Sequence, residues 1–358
     1  MISQHGAQRL LKRLAGGVAA TALVLSAAAC STTAPGTSSQ ASGESGESAA
    51  TSTQKILMIP KFTGLKYFDV SGEGGKKAAE KLGIDFDYIG SQETTATAQI
   101  STITNAIAQK PSAIVVSAID EDAVAPSLER AKEAGINVVT YDADSTVDAR
   151  QVFVNQLSYE LAAKTMLDAA LKNDPDGGLV AFVSASPTAT NHRKHVELMK
   201  KLIDTDPTYS KLKYVDTVQY AEDDASKSEE IARNLMQANP DLKFIISSSV
   251  VTTAAAAKAI ENAGKQGEVF APGFAMPSSM SQFVKDGTIK AFALWDPAEL
   301  GEVATDVAYQ LATGKITGTE GEKVTVDGVG DFTIGANGEL DVNKPIIFTS
   351  DNIDQYDF

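Results

Sequence analysis

Short apolar runs alternate with amphipathic stretches along the chain from Lys55 onwards. Ile56 to Ile59 are consecutive apolar residues, which is typical of a strand buried on both faces of a parallel sheet. The stretches between such runs carry apolar residues at helical spacing, as do Ile100, Ile103 and Ile107. Strands that alternate with helices in this way predict βαβ units and parallel sheets.

The pattern predicts about ten strands before the C-terminal part, too many for one open sheet, so two doubly wound lobes are expected. In the first half the predicted strands are Lys55–Pro60, Ile84–Ile89, Ala113–Ser117, Asn137–Tyr141 and Val152–Val154, with helices Gly72–Leu82, Ala96–Gln109 and Asp122–Ala134. In the second half the predicted elements are helix Tyr159–Leu171, strand Gly178–Ser184, helix Asn191–Ile203, strand Leu212–Gln219, helix Ala225–Gln237, strand Lys243–Ser247, helix Thr252–Ala263, strand Glu268–Phe274, helix Ser278–Lys285, strand Thr288–Leu294 and helix Pro297–Thr313. From Lys323 the sequence predicts shorter strands separated by turn glycines.

The N-terminus has the pattern of an export signal. A basic segment precedes the apolar run Leu14–Leu25, which is shorter than the ~20 residues that span a bilayer. Small residues then lead to Cys30, the only cysteine, so no disulfide can form within the chain. This position resembles a bacterial lipobox, with Ala27 where leucine is more common. Residues 1–29 are therefore predicted to be a lipoprotein signal peptide and Cys30 the lipidated residue. The alternative is a plain secretory signal with an incidental cysteine.

Residues 30–54 are small and polar and are predicted to form a disordered tether, because they offer too little apolar surface to offset their ordering entropy. The 358 residues, 43% of them hydrophobic, suffice for two domains beyond this tether. The net charge of −15 disfavours nucleic acid or an anionic membrane surface as a partner. Membrane contact is expected only through the lipid anchor.

Polar and aromatic residues directly follow the first predicted strand. Pro60 ends that strand because it has no N–H to donate, and Lys61 comes next. In open α/β sheets, ligands bind outside the carboxyl ends of the strands. Lys61 is thus placed to bind a ligand, and Tyr67 and Phe68 are placed to stack on it. A solvated lysine beside aromatic residues that cap the core is an equally consistent interpretation of this stretch alone.

Two further strand ends combine an acid with an aromatic residue. Tyr141 and Asp142 close the fourth predicted strand, and Asp144 follows; Trp295, the only tryptophan, directly precedes Asp296. Carboxylates accept hydrogen bonds from hydroxyl groups, and an aromatic ring suits the apolar face of a sugar ring. Taken singly, these acids are ordinary loop residues.

Two more strand-end loops are rich in hydrogen-bonding groups. One contains Asn191 and His192, and the other is Asn155-Gln156. Five such loops together fit a cleft for a small polyhydroxylated ligand. His192 and His195 share a helix face, a spacing also found in metal sites. No cysteine or nearby carboxylate completes such a set, so we prefer one ligand-facing and one solvated histidine, and we expect no metal and no cofactor.

Enzyme motifs are missing from the sequence. No G-x-S-x-G, H-E-x-x-H or Walker A sequence occurs, so no catalytic residue is predicted. The glycines of Gly72-Glu-Gly-Gly75 lie too far from the preceding strand to form a dinucleotide loop. We interpret them as the start of a helix.

Six stretches together resemble the type I periplasmic sugar-binding proteins of ABC transporters, over Lys55–Phe358. They are Ile59-Pro-Lys61, Ile114-Val-Val-Ser-Ala118, Thr140-Tyr-Asp-Ala-Asp144, Val154-Asn-Gln156, Ala291-Phe-Ala-Leu-Trp-Asp296 and Asn352-Ile-Asp-Gln-Tyr-Asp-Phe358. Within that family the sequence is most similar to the branch of autoinducer-2-binding and rhamnose-binding proteins. The resemblance implies an α/β fold with two Rossmann-like lobes of parallel sheet, joined by a three-crossover hinge and closing on the ligand.

The resemblance also implies lobe boundaries and ligand contacts. The crossovers would lie near Gln156–Ser158, Trp295–Pro297 and Asp327–Asp331, so that residues 55–157 and 297–327 form the N-terminal lobe and residues 158–296 and 328–358 the C-terminal lobe. Lys61 and Asp142 match the residues that hold ligand hydroxyls in the family. The aromatic walls would be Tyr67, Phe68, Tyr141 and Trp295, with Asp296 as a further polar contact.

Some positions depart from the family patterns. The autoinducer-2 pattern has Asp-Gln where this chain has Asn191-His192, and a Pro-x-Ala backbone contact where it has Ser248-Ser-Val250. The rhamnose-like pattern has Thr-Asn-Gln, similar to Thr190-Asn191-His192, but has Asn at the position of Asp296. An amide in place of a carboxylate adds a donor, so the ligand stays open between a sugar and autoinducer-2.

We therefore expect a monomeric, extracytoplasmic lipoprotein that binds a small sugar, such as a rhamnose-like deoxyhexose, and delivers it to an ABC permease. An autoinducer-2 receptor is the main alternative. A transcriptional regulator on the same fold is disfavoured by the signal peptide and by the absence of a helix-turn-helix before Lys55. A secreted enzyme is disfavoured by the missing motifs.

Overall fold

The computed structural model describes residues 54–358. The predicted signal peptide (residues 1–29), Cys30 and the tether up to residue 53 lie outside the described residues. Within residues 54–358, no helix combines the length and the apolar character that crossing a bilayer requires.

The first half of the described chain builds a parallel sheet. Its elements are β1 (Lys55–Ile59), α1 (Lys66–Leu82), β2 (Asp85–Tyr88), α2 (Ala96–Ala108), β3 (Ala113–Val116), α3 (Glu121–Glu133), β4 (Asn137–Tyr141) and β5 (Val152–Asn155). The strand order is β13-β5-β4-β3-β1-β2, where β13 is a strand from late in the chain, Glu339–Asp341. Every residue of β3 and β5 is buried, which is why these strands read as unbroken apolar runs.

The second half builds a second parallel sheet and then returns to the first. Its elements are α4 (Tyr159–Asn173), β6 (Gly178–Ser184), α5 (Thr190–Thr205), β7 (Leu212–Tyr214), β8 (Gln219–Tyr220), α6 (Ala225–Ala238), β9 (Leu242–Ser247), α7 (Val250–Asn262), α8 (Pro277–Lys285), β10 (Phe292–Leu294), α9 (Pro297–Ala312), β11 (Lys323–Val326), β12 (Gly330–Thr333), β13 (Glu339–Asp341) and β14 (Ile346–Phe348). β6 pairs in parallel with β7, β8 and β9. We call the part built on the first sheet the first lobe and the part built on the second sheet the second lobe.

The late elements are shared between the two lobes. Helix α9 packs on α1 and on strands of the first sheet, and β13 pairs in parallel with β5. Strand β14 instead pairs with β10, beside the second sheet. We therefore propose that the third crossover lies at residues 342–345, later than the expected Asp327–Asp331, with the first two near Gln156–Ser158 and Trp295–Pro297.

Several predicted elements differ from the structure: the strand expected at Thr288–Leu294 is shortened to β10, and three further differences concern one helix and two strands. Helix α1 begins at Lys66 rather than at Gly72, so the glycine-rich stretch lies inside the helix. The predicted strand Leu212–Gln219 is broken into β7 and β8 at two exposed polar residues, Asp216 and Thr217. The predicted strand Glu268–Phe274 makes only isolated bridges, because Pro272 within it has no N–H for a ladder.

Glycines inside α1 and α9 let these two helices approach each other closely. A Cβ added at Gly74 would lie 1.9 Å from the carbonyl oxygen of Ala298. A Cβ added at Gly301 would likewise lie 1.9 Å from the carbonyl oxygen of Ser71. Real Cβ atoms do not come this near to backbone atoms, so the contact between α1 and α9 requires glycine on both helices. We call this close contact the helix seam, and it holds α9 against the first lobe.

The helix seam gives a stability prediction. We expect Gly74→Ala to lower the free energy of unfolding by about 1–3 kcal/mol, the usual cost of overpacking, although alanine is the better helix former. Exposed Glu73 is the neighbouring residue of α1, and Glu73→Ala is the matched control, with an expected change within about 0.5 kcal/mol. Urea unfolding followed by circular dichroism measures both. A Gly74→Ala protein as stable as the control would contradict the close packing.

Candidate functional site

A cavity lies where the carboxyl ends of strands from both sheets face each other. It is lined by Lys61, Leu65, Tyr67, Phe68, Asp142, Asn191, His192, His195, Asp223, Ser248, Ser249, Val250, Phe274 and Trp295. The space free of protein atoms is about 450 Å³, including the open mouth of the cavity. The cavity therefore suits one compact ligand with several hydrogen-bonding groups.

The carboxylate of Asp142 is the most highly connected group of the cavity. Asp142 directly follows β4 and has a φ of +60°, which turns the chain sharply at the strand end. Its Oδ1 accepts a hydrogen bond from the Tyr67 hydroxyl (3.0 Å), and its Oδ2 accepts one from the Ser117 hydroxyl (2.8 Å). The Lys61 ammonium lies 3.5 Å from Oδ2. Burial, and then the Asp142 charge, raise the pKa of Tyr67 well above its usual value, so the phenol stays protonated and donates.

Aromatic side chains form one wall of the cavity. The indole N–H of Trp295 donates to the Tyr67 hydroxyl oxygen over 3.1 Å, and the two rings meet edge to face at 5.9 Å. Phe68 lies 5.1 Å from the Tyr67 ring, and Phe274 lies 4.9 Å from the Trp295 ring, both edge to face. The wall thus continues from α1 in the first lobe to residues beside the second sheet.

One buried amide fixes the loops that carry these groups. The Gln99 Nε2 group donates to the carbonyl oxygens of Pro60 (2.9 Å) and Ser117 (2.7 Å), and its Oε1 accepts from the Ile119 N–H (2.9 Å). The loops after β1 and β3 are thereby tied together, and Lys61 directly follows Pro60, one of the two residues whose carbonyl groups Gln99 binds. Gln99 was not among the predicted site residues. Its signal was a polar residue one turn before a buried isoleucine, on the face of α2 that packs on the sheet.

Helix α5 contributes Asn191 and His192 from its first turn. The Ala185 N–H donates to His192 Nδ1 over 3.2 Å, so the neutral ring carries its proton on Nε2. Burial, and then the Lys61 charge, lower the pKa of His192 to about 3. At neutral pH this histidine is an uncharged donor. The Asn191 amide donates to the Asp142 carbonyl oxygen over 3.4 Å, which is a direct contact between the two lobes.

Several lining residues were not predicted as ligand contacts. His195 is 1% exposed, so the expected solvated histidine is wrong for the described fold. Its Nδ1 lies 3.0 Å from the Ser248 hydroxyl, and its Nε2 has no partner among the described residues. Burial is the main cause that lowers the pKa of His195 to about 3. Asp223, in the loop after β8, accepts from the Ser249 hydroxyl over 2.5 Å. The position of His195 one turn after His192 was the available signal.

Two predicted contacts, Tyr141 and Asp296, do not line this cavity, whereas all the other predicted ligand residues do. The Tyr141 side chain has no exposed surface and packs in the core of the first lobe. The Asp296 carboxylate caps helix α9, where it accepts from the N–H groups of Ala298 (2.8 Å) and Glu299 (3.3 Å). We therefore leave both residues out of the proposed site.

Comparison with known proteins agrees with this architecture. The periplasmic binding protein domain matches residues 56–316. A sugar ABC transporter from Actinomyces odontolyticus is 40% identical, with a TM-score of 0.72 over 85% of this chain and 98% of that chain. A solute-binding protein from Clostridium phytofermentas with bound L-rhamnose is 31% identical, with a TM-score of 0.80 over 85% and 98% of the two chains. LsrB from Clostridium saccharobutylicum in complex with AI-2 is 26% identical, with a TM-score of 0.79 over 85% and 100%.

These similarities confirm the family and the fold class that the sequence predicts. The matched domain covers most of the chain, and it includes strands of both sheets. Proteins of this family bind their solute without converting it, so the chain is not an enzyme. The chain belongs to the periplasmic binding protein family and has the type I fold of the binding proteins that serve ABC transporters.

Proposed function

We propose that this protein captures one small neutral sugar, a rhamnose-like deoxyhexose or a related monosaccharide, and delivers it to an ABC importer. The observation that carries the proposal is a cavity with a buried Lys61–Asp142 pair beside an aromatic wall. The pair offers both donor and acceptor to adjacent hydroxyls, and the wall suits the apolar face of a pyranose. The protein with bound L-rhamnose is 31% identical, which supports this ligand class.

The ligand would favour closure because groups from both lobes surround it. Lys61 and Asp142 lie on loops of the first lobe, while Asn191 and His192 belong to α5 of the second. A ligand that bonds to both sets binds the closed form more tightly than an open one, and so shifts the population towards it. The permease would then recognise the closed form.

An autoinducer-2 receptor is the second candidate. The small volume of the cavity is compatible with a compact signal molecule, and LsrB in complex with AI-2 has a TM-score of 0.79 to this chain. Asn191 and His192 replace the Asp-Gln of that pattern, which favours the sugar.

We further propose that the protein acts as an extracytoplasmic monomer, held at the outer face of the membrane by a lipid on Cys30.

The first test is a thermal-stability screen. The protein is unfolded, refolded to remove any carried ligand, and heated with pentoses, hexoses, deoxyhexoses or autoinducer-2. A ligand at 100 times its Kd stabilises the native state by about 2.7 kcal/mol and raises the Tm accordingly. We expect a shift with a deoxyhexose or a related monosaccharide. A shift with autoinducer-2 alone would establish the alternative, and a chemically converted sugar would refute a pure binding role.

The second test removes the central pair. Asp142→Asn keeps the shape and suits the left-handed backbone, and Lys61→Met keeps the length of the stem, so both should fold. We expect each variant to weaken sugar binding roughly 10- to 150-fold, because a hydrogen bond to a charged partner is worth about 1.5–3 kcal/mol. Exposed Lys76 on α1 gives the control Lys76→Met, which should bind normally in isothermal titration. Unchanged binding in both cavity variants would mean that the site lies elsewhere.

The buried histidines predict a pH dependence of stability. Their folded pKa values are about 3, below the usual 6.5, so between these pH values the unfolded chain binds more protons than the folded chain. Stability is then complete above about pH 6.5 and falls as the pH drops, by up to about 1.4 kcal/mol per unit for each histidine. Urea unfolding of the ligand-free protein between pH 7 and 4 measures this slope. In His192→Gln the change of unfolding free energy per pH unit should be smaller, by the contribution of one histidine. The same pH dependence in this variant and in the unsubstituted protein would contradict a buried neutral ring at His192.

A further inference from the structure

A polar contact outside the cavity joins the two lobes. The Thr190 hydroxyl, on α5 of the second lobe, donates to Oε2 of Glu121, at the start of α3 in the first lobe. The Arg193 guanidinium lies 3.7 Å from the same carboxylate oxygen. We call these three side chains the latch. None of them lines the cavity.

Both sides of the latch are tied to residues that do line the cavity. The Ser145 hydroxyl donates to the Glu121 carbonyl oxygen over 2.9 Å, and Ser145 follows Asp142 by three residues in the same loop. On the other side, Thr190 directly precedes Asn191 in the first turn of α5. The distance across the latch is thus coupled to the distance between the two halves of the cavity.

We propose that Glu121 is a positioning residue that holds the lobes closed around the ligand, and so sets the affinity without touching the ligand. The statement about affinity rests on the proposed sugar-binding function, whereas the statement about closure does not. Thr190 is 4% exposed, so its hydroxyl is shielded from water in this arrangement and Glu121 is its acceptor. A hydrogen bond to a charged acceptor is among the stronger polar contacts in proteins.

The latch acts through the fraction of closed protein. The apparent Kd equals the intrinsic Kd divided by the fraction of molecules in the binding-competent form, so a lower closed fraction weakens binding in proportion. Loss of a contact that forms only on closure should act chiefly on the dissociation rate. We therefore expect Glu121→Ala and Thr190→Val each to raise the dissociation rate of a bound sugar roughly tenfold.

Asp122 provides a matched control. It is the next residue of the same first turn of α3, it carries the same charge, and it is exposed with no side-chain partner recorded in the described part of the chain. Asp122→Ala thus removes the same charge from the same helix end without touching the latch. The two latch variants should not be additive, because Glu121 and Thr190 are partners in one contact, so the double variant should resemble either single one.

Closure is measured first in the ligand-free full-length chain carrying Cys30→Ser. Spin labels on Glu129→Cys in α3 and Lys201→Cys in α5, both exposed positions, report the distance between the lobes. We expect Glu121→Ala to shift the distance distribution towards longer values and Asp122→Ala to leave it unchanged. The unsubstituted protein, Glu121→Ala, Thr190→Val, their double variant and Asp122→Ala are all measured in this way and are then tested by stopped flow with L-rhamnose as the probe.

The outcomes separate this proposal from the proposed function. A longer distance or a faster dissociation in both latch variants, relative to Asp122→Ala, supports the latch. Distances and dissociation rates that match those of Asp122→Ala overturn it, even where the sugar binds tightly. If L-rhamnose does not bind, the ligand-free distances alone decide, because they do not depend on the identity of the ligand.

Discussion

The buried carboxylate of Asp142 is the constraint on which the rest of the site depends. A charge removed from water must be matched by hydrogen bonds and by an opposite charge, or the fold would not tolerate it. Here the Tyr67 hydroxyl, the Ser117 hydroxyl and the Lys61 ammonium come from three separate segments of the first lobe. These contacts to the Asp142 carboxylate bring the strand-end loops of the first sheet together. The cavity is the space that remains where the second lobe meets them.

The hinge is part of the same network. Trp295 lies at the proposed second crossover, and its indole N–H donates to the Tyr67 hydroxyl, which in turn donates to Asp142. A chain of hydrogen bonds therefore runs from the proposed hinge segment to the group proposed to hold the ligand. Because linked hydrogen bonds polarise one another, the orientation of the hinge tryptophan and the acceptor strength of the carboxylate are physically coupled.

Much of this arrangement was predictable from the sequence, and the failures have identifiable causes. Buried parallel strands leave unbroken apolar runs, and the strand-end rule then located Lys61 and Asp142. Tyr141 was predicted as a ligand contact but does not line the cavity, because side chains alternate between the faces of a strand and its ring lies in the core. Asp296 was also predicted as a ligand contact, but an acid directly before a helix can equally serve as its N-cap, which is the position it has here. The third crossover depended on the pairing of β13 with β5, which no local pattern specifies.

The pairing of β13 with β5 also determines the order in which the protein can complete its folding. The edge of the first sheet is supplied by Glu339–Asp341, and α9, which covers that sheet, begins only at Pro297. The first lobe therefore lacks its edge strand until Glu339–Asp341 have been synthesised. The second lobe likewise waits for β14, at Ile346–Phe348, to pair with β10. Such long-range closures slow folding, so both lobes of the nascent chain remain incomplete until the segment from Glu339 to Phe348 has been made.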